Sequence, residues 1–121
     1  MTSKEIALKA AEILHNKGAQ NITVLDVTNL TAVTEAMVIA SGRNTPQAKA
    51  LAENVEEQLL KSGLSPIRKD GHPGSRWFVL DYGAVFIHIF LPQEREFYHL
   101  DKLWEQEDNR IPLPFEDDSN S

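Results

Sequence analysis

The sequence predicts an α/β (α+β) fold, a single domain in which helices pack on a mixed β-sheet of about five strands. Its 121 residues suit one domain with a substantial core. Two segments, residues 4–17 and 46–62, repeat apolar residues at the spacing of a helix. Two apolar runs, residues 77–80 and 84–91, stand on either side of a short turn, as the strands of a hairpin do.

The first helix, predicted over residues 4–17, has recognisable ends. Thr2 and Glu5 have the spacing of a capping box, and Ser3 is an alternative N-cap. Gly18 suits the position after the last turn, because glycine readily takes a positive φ. The apolar positions form one stripe, so this helix should pack on a flat surface: Ile6, Ala7, Ala10, Ile13 and Leu14.

Two strands and a second helix follow. Residues 22–28 are rich in β-branched side chains and residues 36–40 form a short apolar run, so both are predicted strands. Thr45 is the predicted N-cap of the second helix, with Pro46 at its first position. The buried stripe of that helix is Ala48, Leu51, Ala52, Val55 and Leu59.

The second half of the chain is predicted to add three strands and a short helical segment. Residues 64–69 suit an edge strand because Pro66 cannot donate to a ladder. Residues 70–74 form a loop rich in turn formers, the hairpin of residues 77–91 follows, and residues 94–104 suit one or two helical turns.

The last hairpin strand is apolar on both faces. Val85, Ile87, Ile89 and Leu91 alternate with Phe86, His88 and Phe90. Such a pattern is typical of a central strand that is covered on both sides. We therefore expect His88 to be a core imidazole, hydrogen-bonded to a neighbouring backbone or carboxylate group.

Composition and charge limit the possible functions. The net charge is −6, of which the residues from Glu105 onward carry −5, so residues 1–104 carry −1. Neither part looks like a phosphate-binding surface, because nucleic-acid affinity draws largely on clustered Lys and Arg, so little direct nucleic-acid contact is expected. Cysteine is absent and no segment has membrane-spanning length, so a cytoplasmic protein without membrane contact is predicted. We divide the chain into a domain at residues 1–104 and an acidic, partly disordered tail at residues 105–121.

Aromatic and charged residues are dense between the hairpin and the tail. The set comprises Trp77, Tyr82, Arg95, Phe97, Tyr98 and Trp104. Trp, Tyr and Arg dominate protein–protein hot spots, so this segment is the best candidate for a binding surface. Phe97 and Trp104 are expected in the core, whereas Trp77 and Tyr98 suit either the core or an interface.

The same stretch resembles a known family. Residues 77–83 read WFVLDYG, and they are followed by His88-Ile89-Phe90, Arg95, Phe97-Tyr98 and Leu103-Trp104. In combination and at these spacings, the segments resemble the ribosomal silencing factor family, also called the Iojap-like family. The resemblance extends from the first helix to about Trp104, and it implies a nucleotidyltransferase-like α/β fold without the catalytic residues of that fold.

The resemblance also implies a function and a partner. Members of the family bind a basic protein of the large ribosomal subunit, large-subunit ribosomal protein fourteen, at the intersubunit face. They block joining of the small subunit sterically and thereby repress translation. The residues expected to contact this partner are Trp77, Arg95, Tyr98 and Leu100, with Arg43 and Lys69 as weaker candidates.

Two other classes of function stay open. A nucleotidyltransferase needs clustered carboxylates and a Gly-Ser turn, but residues 41–44 read SGRN and no Asp-x-Asp follows them. The four histidines (His15, His72, His88 and His99) lack metal-ligand spacing, so no catalytic residue, metal or cofactor is predicted. The second alternative is a non-ribosomal interaction module, and a homodimer is possible in the free state.

Overall fold

The computed structural model describes residues 1–71 and 74–115. One five-stranded sheet, in the order β1-β2-β5-β4-β3, forms its centre. Strands β2 and β5 are parallel, and the other neighbouring pairs are antiparallel. The elements are α1 (Ser3–Asn16), β1 (Gln20–Asp26), β2 (Ala36–Ser41), α2 (Thr45–Leu60), β3 (Arg68–Asp70), β4 (Trp77–Asp81), β5 (Val85–Phe90), α3 (Pro92–Tyr98) and α4 (Leu100–Trp104). The predicted α/β (α+β) class and mixed sheet are confirmed.

The ends of the two long helices show local sequence control. At α1 the capping box is complete, since the hydroxyl of Thr2 accepts from the Glu5 amide and the Glu5 carboxylate accepts from the Thr2 amide. At α2 the predicted N-cap was wrong by one residue. Asn44, and not Thr45, is the cap, because its Oδ1 accepts from the Gln47 amide at 2.9 Å.

The predicted strands are present, but two of them are shifted. The first, predicted at residues 22–28, is Gln20–Asp26. The hairpin of β4 and β5 turns at residues 82–84, and Gly83 there has φ +80° as its position requires. The edge strand predicted at 64–69 is shorter and lies later, at Arg68–Asp70. Residues 72 and 73 of the loop predicted at 70–74, and the predicted acidic end at 116–121, lie outside the described residues.

One face of the sheet is fully covered by α1 and α2. Side chains from four strands point into this layer, and each is buried: Ile22, Val24, Val38, Leu80, Ile87 and Ile89 among others. The helices contribute the predicted stripes, including Ala10 and Leu14 of α1 and Leu51 and Val55 of α2. This layer is the main hydrophobic core.

The opposite face is covered over only part of its width in the described chain. Leu100 and Trp104 of α4 pack over β1 and β2, where Leu25, Met37 and Ile39 are buried. Towards β4 the cover ends, and side chains on the same face become half-buried. The central strand β5 therefore has one fully buried face. On its other face, burial falls from Phe90, which is buried, to Phe86, which is half-buried. The sequence pattern predicted that both faces would be buried.

The chain after α4 returns along the free edge of β1. The amide of Asp26 donates to the Asn109 carbonyl at 2.8 Å, and the Ile111 amide donates to the Val24 carbonyl at 2.8 Å. Phe115 stacks on His15 of α1 with ring centroids 4.1 Å apart. Residues 109–115, which lie in the predicted tail, thus protect this edge of the sheet from pairing with another chain.

A candidate docking surface

The candidate docking surface is the aromatic cluster on the partly covered face of the sheet. We define it as Trp77 of β4, Phe86, His88 and Phe90 of β5, and Phe97 and Tyr98 of α3. Trp77 pairs with Phe90 across the ladder, and the side chains at 86, 88 and 90 share one face. The period-two pattern therefore places these rings side by side, and α3 adds two more rings at the rim.

Trp77 is the centre of the cluster. Its ring lies 4.6 Å from Phe90 and 4.9 Å from Tyr98, measured between centroids. Its indole Nε1–H donates to His88 Nδ1 at 3.1 Å. Trp77 is half-buried, with the buried Phe90 on one side and the 51% exposed Tyr98 on the other. The cluster thus runs continuously from the core to the surface.

His88 has an unusual environment for an ionisable side chain. Only 6% of the residue is exposed, and Phe86 and Phe90 flank it along the strand. Burial lowers its pKa from 6.5 to about 4, because the surrounding rings cannot solvate a charged imidazole. The predicted core position is confirmed, but the predicted bond to a backbone or carboxylate group was wrong. The partner is the indole of Trp77.

The rim of the cluster is strongly apolar and open to solvent. Phe97 is 76% exposed, so the expectation that it lies in the core was wrong. Its ring packs edge-on against Tyr98 at 5.0 Å, and Leu103 of α4 is exposed nearby in the chain. Exposed aromatic residues next to a half-buried tryptophan are typical of protein-binding surfaces.

Arg95 lies beneath the cover formed by α3 and α4 and not on its outer surface. Its side chain is 12% exposed and binds the Asp101 carboxylate with two nitrogens, at 2.6 and 3.1 Å. The same guanidinium donates to Ser41 Oγ at 3.0 Å, to the hydroxyl of Thr23 and to the Asn21 carbonyl. Arg95 therefore ties both short helices to β1 and β2.

Two residues next to the Arg95 network have a left-handed backbone conformation. Asn21 and His99 have φ of 53° and 51°, a left-handed conformation that costs energy outside glycine. Asn21 turns its carbonyl towards Arg95, and His99 joins α3 to α4 on the other side. The two strained residues and Arg95 together set the position of the cover on the sheet.

The remaining predicted site residues are dispersed. Leu100 is half-buried and packs over β2, adjoining the cluster. Lys69 lies on edge strand β3 and pairs with Glu56 of α2 at 3.2 Å. It therefore points to the face covered by α1 and α2, called the helix-covered face below. Arg43 is exposed in the turn before α2. The structure thus brings together Trp77 and Tyr98, and it separates Lys69 from them.

Tyr82, which belonged to the predicted aromatic set, lies outside the aromatic cluster. It packs on the helix-covered core, where burial and, secondarily, the Glu56 carboxylate raise its pKa to about 12. Sequence reasoning missed the polar partners of Arg95, namely Thr23, Ser41 and Asp101. The alternation of Thr23 and Ser41 with apolar neighbours in two strands was the available signal, because buried hydroxyls need partners.

The isolated carboxylates of the strands have structural tasks. Asp26 accepts from the Thr28 amide at 3.0 Å, and its hydrogen bonds to Thr28 lower its pKa. Asp81 accepts from the Gly83 amide at 2.7 Å and so stabilises the hairpin turn. Within residues 1–71 and 74–115, no group of three or more His, Asp or Glu side chains could hold a metal ion. No helix of that same part of the chain is long and apolar enough to cross a membrane.

Fold and surface together define an α/β domain whose partly covered sheet face carries an aromatic cluster. Comparison with known proteins adds the family. The family model described as "Ribosomal silencing factor during starvation" matches residues 1–121. The chain therefore belongs to the ribosomal silencing factor family. This is a family of translation regulators named for silencing of ribosomes and not for a reaction.

Curated relatives agree with this assignment. The chain is 34% identical to the ribosomal silencing factor RsfS of Chromobacterium violaceum over 104 residues, which cover 86% of this chain and 85% of that one. It is 32% identical to RsfS of Bacillus subtilis, with 86% and 88% covered. It is also 34% identical to the chloroplastic protein Iojap of Arabidopsis thaliana, covering 97% of this chain and 48% of the relative. The resemblance inferred from residues 77–104 is confirmed.

Solved structures show the same fold. The crystal structure of a Chromobacterium violaceum protein superimposes with a TM-score of 0.83 at 29% identity and covers 100% of both chains. A structure from Bacillus halodurans has a TM-score of 0.79 at 25% identity, covering 91% of this chain and 99% of the other. The architecture described above is thus that of the family.

Proposed function

We propose that the protein binds a basic protein of the large ribosomal subunit, large-subunit ribosomal protein fourteen, through the candidate docking surface. Bound at the intersubunit face, it blocks joining of the small subunit and so represses translation in the cytoplasm. The observation that supports this proposal most is the half-covered sheet face. Its half-buried Trp77 and the exposed rings of Phe97 and Tyr98 at its rim occur in a chain that belongs to a silencing family.

Steric occupancy is enough for this activity. A body of 13.6 kDa on the joining surface needs no chemistry, only a residence time longer than the encounter with the small subunit. A steric mechanism does not require catalytic carboxylates. Asp26 and Asp81 each accept a hydrogen bond from a backbone amide two residues later and so stabilise turns. Affinity would come from burial of the central aromatic residues, with the surrounding contacts excluding water.

Charge favours a protein partner over RNA. The chain carries a net charge of −6, and phosphate binding draws on clustered Lys and Arg. A basic ribosomal protein offers the opposite sign, so encounter is accelerated at low salt. Contacts to ribosomal RNA would be few in this arrangement.

The predicted residues take different roles in this proposal. Trp77 and Tyr98 contact the partner directly, and Leu100 supports the cover from below. Arg95 acts through the cover, since its guanidinium holds α3 and α4 in place. Arg43 and Lys69 would contribute peripheral charge only.

Cosedimentation with isolated ribosomal subunits tests the proposal. The wild type should sediment with large subunits and not with small subunits, and Tyr98→Ala should weaken this binding at least about tenfold. Leu60→Ala is the matched control, because Leu60 is a similarly exposed apolar residue (59%) on α2, against the opposite face of the sheet. Equal binding by both variants would contradict the proposed surface.

A homodimer through the same apolar face is the competing arrangement. The face that docks on a ribosomal protein would also suit a second copy, and dimer and ribosome would then exclude one another. Sedimentation at several concentrations, with and without Tyr98→Ala, decides between a monomer and such a dimer. A protein that binds neither subunit but dimerises through this face would be a non-ribosomal interaction module.

A further inference from the structure

We propose that His88 is a positioning residue that holds the Trp77 indole in the orientation needed for docking. The proposal rests on the proposed function, because the docking surface gives the orientation its purpose. His88 serves docking at the expense of stability, so a residue that stabilises the core more at this position would impair binding.

The backbone register makes the contact between the two side chains. Val79 of β4 lies opposite His88 of β5, and Trp77 lies opposite Phe90. Trp77 and His88 are therefore diagonal neighbours on one face, a distance that long or aromatic side chains can span. The indole Nε1–H meets His88 Nδ1 at 3.1 Å, with the rings 5.9 Å apart.

This hydrogen bond fixes the protonation of the imidazole. Nδ1 accepts a hydrogen bond from the indole N–H, so it carries no proton itself, and the neutral ring keeps its proton on Nε2. That second nitrogen is buried and has no hydrogen-bond partner among the described residues. An unpaired buried donor is costly, so the imidazole is a poor core residue at this position.

Its aromatic neighbours show what the core itself would accept. Phe86 and Phe90 occupy the flanking positions on the same face of the same strand. A phenyl ring at 88 would fill similar space and would leave no unpaired donor. What it could not supply is an acceptor for the indole, and this is the one property that His88 contributes to the surface.

Losing the acceptor would affect the exposed part of the surface. The Trp77 ring lies between the buried Phe90 and the exposed Tyr98, at 4.6 and 4.9 Å. With its nitrogen unpaired, the indole would turn towards water to recover a hydrogen bond. Tyr98, which packs on the outer side of the indole, would then lose its support.

Two substitutions separate the role in docking from the role in packing. His88→Phe keeps a ring and removes the acceptor. His88→Asn places a carbonyl oxygen at the same separation from Cβ as Nδ1, so it keeps the acceptor and removes part of the ring. A purely structural histidine would tolerate Phe better than Asn in both stability and binding.

Thermal unfolding and cosedimentation with isolated large subunits are measured for both variants. We expect His88→Phe to unfold at or above the wild-type temperature and to bind large subunits about tenfold more weakly. We expect His88→Asn to unfold at a lower temperature, because it leaves a cavity, and to bind within about threefold of the wild type. This opposite ordering of stability and binding is the signature of the proposed role.

The indole proton gives a readout that does not depend on the ribosome. In a nitrogen–proton correlation spectrum, the Trp77 indole signal is assigned by its loss in Trp77→Phe. Its exchange with solvent should be slow in the wild type and His88→Asn, and at least about tenfold faster in His88→Phe. Unchanged exchange in His88→Phe would overturn the claim that His88 holds the indole.

The remaining outcomes distinguish this proposal from the proposed function. If the wild type fails to bind large subunits, the proposed function fails and the docking purpose of His88 fails with it. If the wild type binds and His88→Phe binds equally well, only the positioning role is overturned. A large loss of stability in His88→Phe would identify a structural residue and would also overturn it.

Discussion

The two faces of the sheet differ in how they are covered, and we propose that one face serves stability and the other serves docking. On one face α1 and α2 bury a continuous aliphatic layer in which Val24, Val38 and Ile87 have no exposed surface. On the other face two short helices cover β1 and β2 and leave aromatic residues of β4 and β5 half-buried. A sheet face that faces water usually carries polar side chains, so the aromatic residues on this partly covered face are the unusual feature.

The second face is also held differently. The face under α1 and α2 relies on aliphatic packing. The cover of α3 and α4 combines the packing of Leu100 and Trp104 with the polar network of Arg95 and two residues of positive φ. Polar networks depend on geometry and so fix a position sharply, which suits a surface that must match a partner. Substitutions on the two faces should therefore have distinct consequences.

The largest effect is expected in the aliphatic layer. Leu51→Ala on α2 removes a buried side chain and leaves a cavity, so the free energy of unfolding should fall by about 2–5 kcal/mol. Binding to large subunits at a temperature where the variant is still folded should be unchanged. Denaturant unfolding followed by cosedimentation checks both statements. Lost binding in the folded variant would break the separation of the two faces.

The pH dependence of stability should reveal the buried imidazole of the second face. The pKa of His88 falls from 6.5 to about 4 on folding because of burial. Between these pH values the unfolded chain binds more protons than the folded protein. The contribution of neutral His88 to the free energy of unfolding is therefore fully present above about pH 6.5 and is lost as the pH falls towards 4. The full decline attributable to His88 is about 3 kcal/mol.

A difference measurement isolates that contribution. The free energy of unfolding of the wild type is compared with that of His88→Phe from pH 7 to pH 4, because other groups titrate equally in both. The wild type should lose stability relative to the variant across this window. Parallel curves would show that His88 titrates in the folded protein as it does in the unfolded chain.

Arg95→Ala should give an intermediate effect confined to the cover. Its removal leaves Asp101 and the Asn21 carbonyl without a donor, at a cost of about 2–3 kcal/mol. Amide exchange should accelerate in α4 and not in α1, and binding should weaken. Arg43→Ala, an exposed arginine outside this network, is the control and should change stability by less than about 0.5 kcal/mol.

The smallest effect is expected at the end of the chain. A truncation that removes residues 116–121 should change the free energy of unfolding by less than about 0.5 kcal/mol, since that segment has no apolar residue. A truncation after Trp104 tests the predicted domain boundary. It removes the hydrogen bonds of Asn109 and Ile111 to β1, so it should cost about 2 kcal/mol more. A large drop in melting temperature for the shorter deletion would contradict the first statement.

The sequence predicted the architecture well, because the architecture depends on periodicity. Apolar residues on both faces of the run at residues 85–90 predicted a central strand, which is the position of β5, and the capping box at Thr2 predicted the start of α1. The N-cap at Asn44 was missed because Thr45 and Asn44 are both good caps, and only the hydrogen bond to Gln47 distinguishes them.

The docking surface was only partly predictable. Residue type suggested Trp77 and Tyr98, since both are typical of interfaces. Periodicity alone could not show that the cover stops short of Phe86, nor that Phe97 faces solvent, because a short helix has no clear apolar stripe. Arg95 looked like a surface contact, but its partners lie far along the chain at Thr23 and Ser41. Such long-range pairing leaves no local pattern.

Site-specific photocrosslinking would test the docking surface most directly. A benzophenone side chain is introduced at Phe97, which is 76% exposed at the rim of the aromatic cluster, and separately at Leu60, which is 59% exposed on α2. Each protein is irradiated with isolated large subunits, and the adducts are identified by mass spectrometry. We expect a crosslink from position 97 to a basic large-subunit protein and none from position 60. A crosslink from position 60 alone would place the docking surface on the face covered by α1 and α2, and the proposed surface would be wrong.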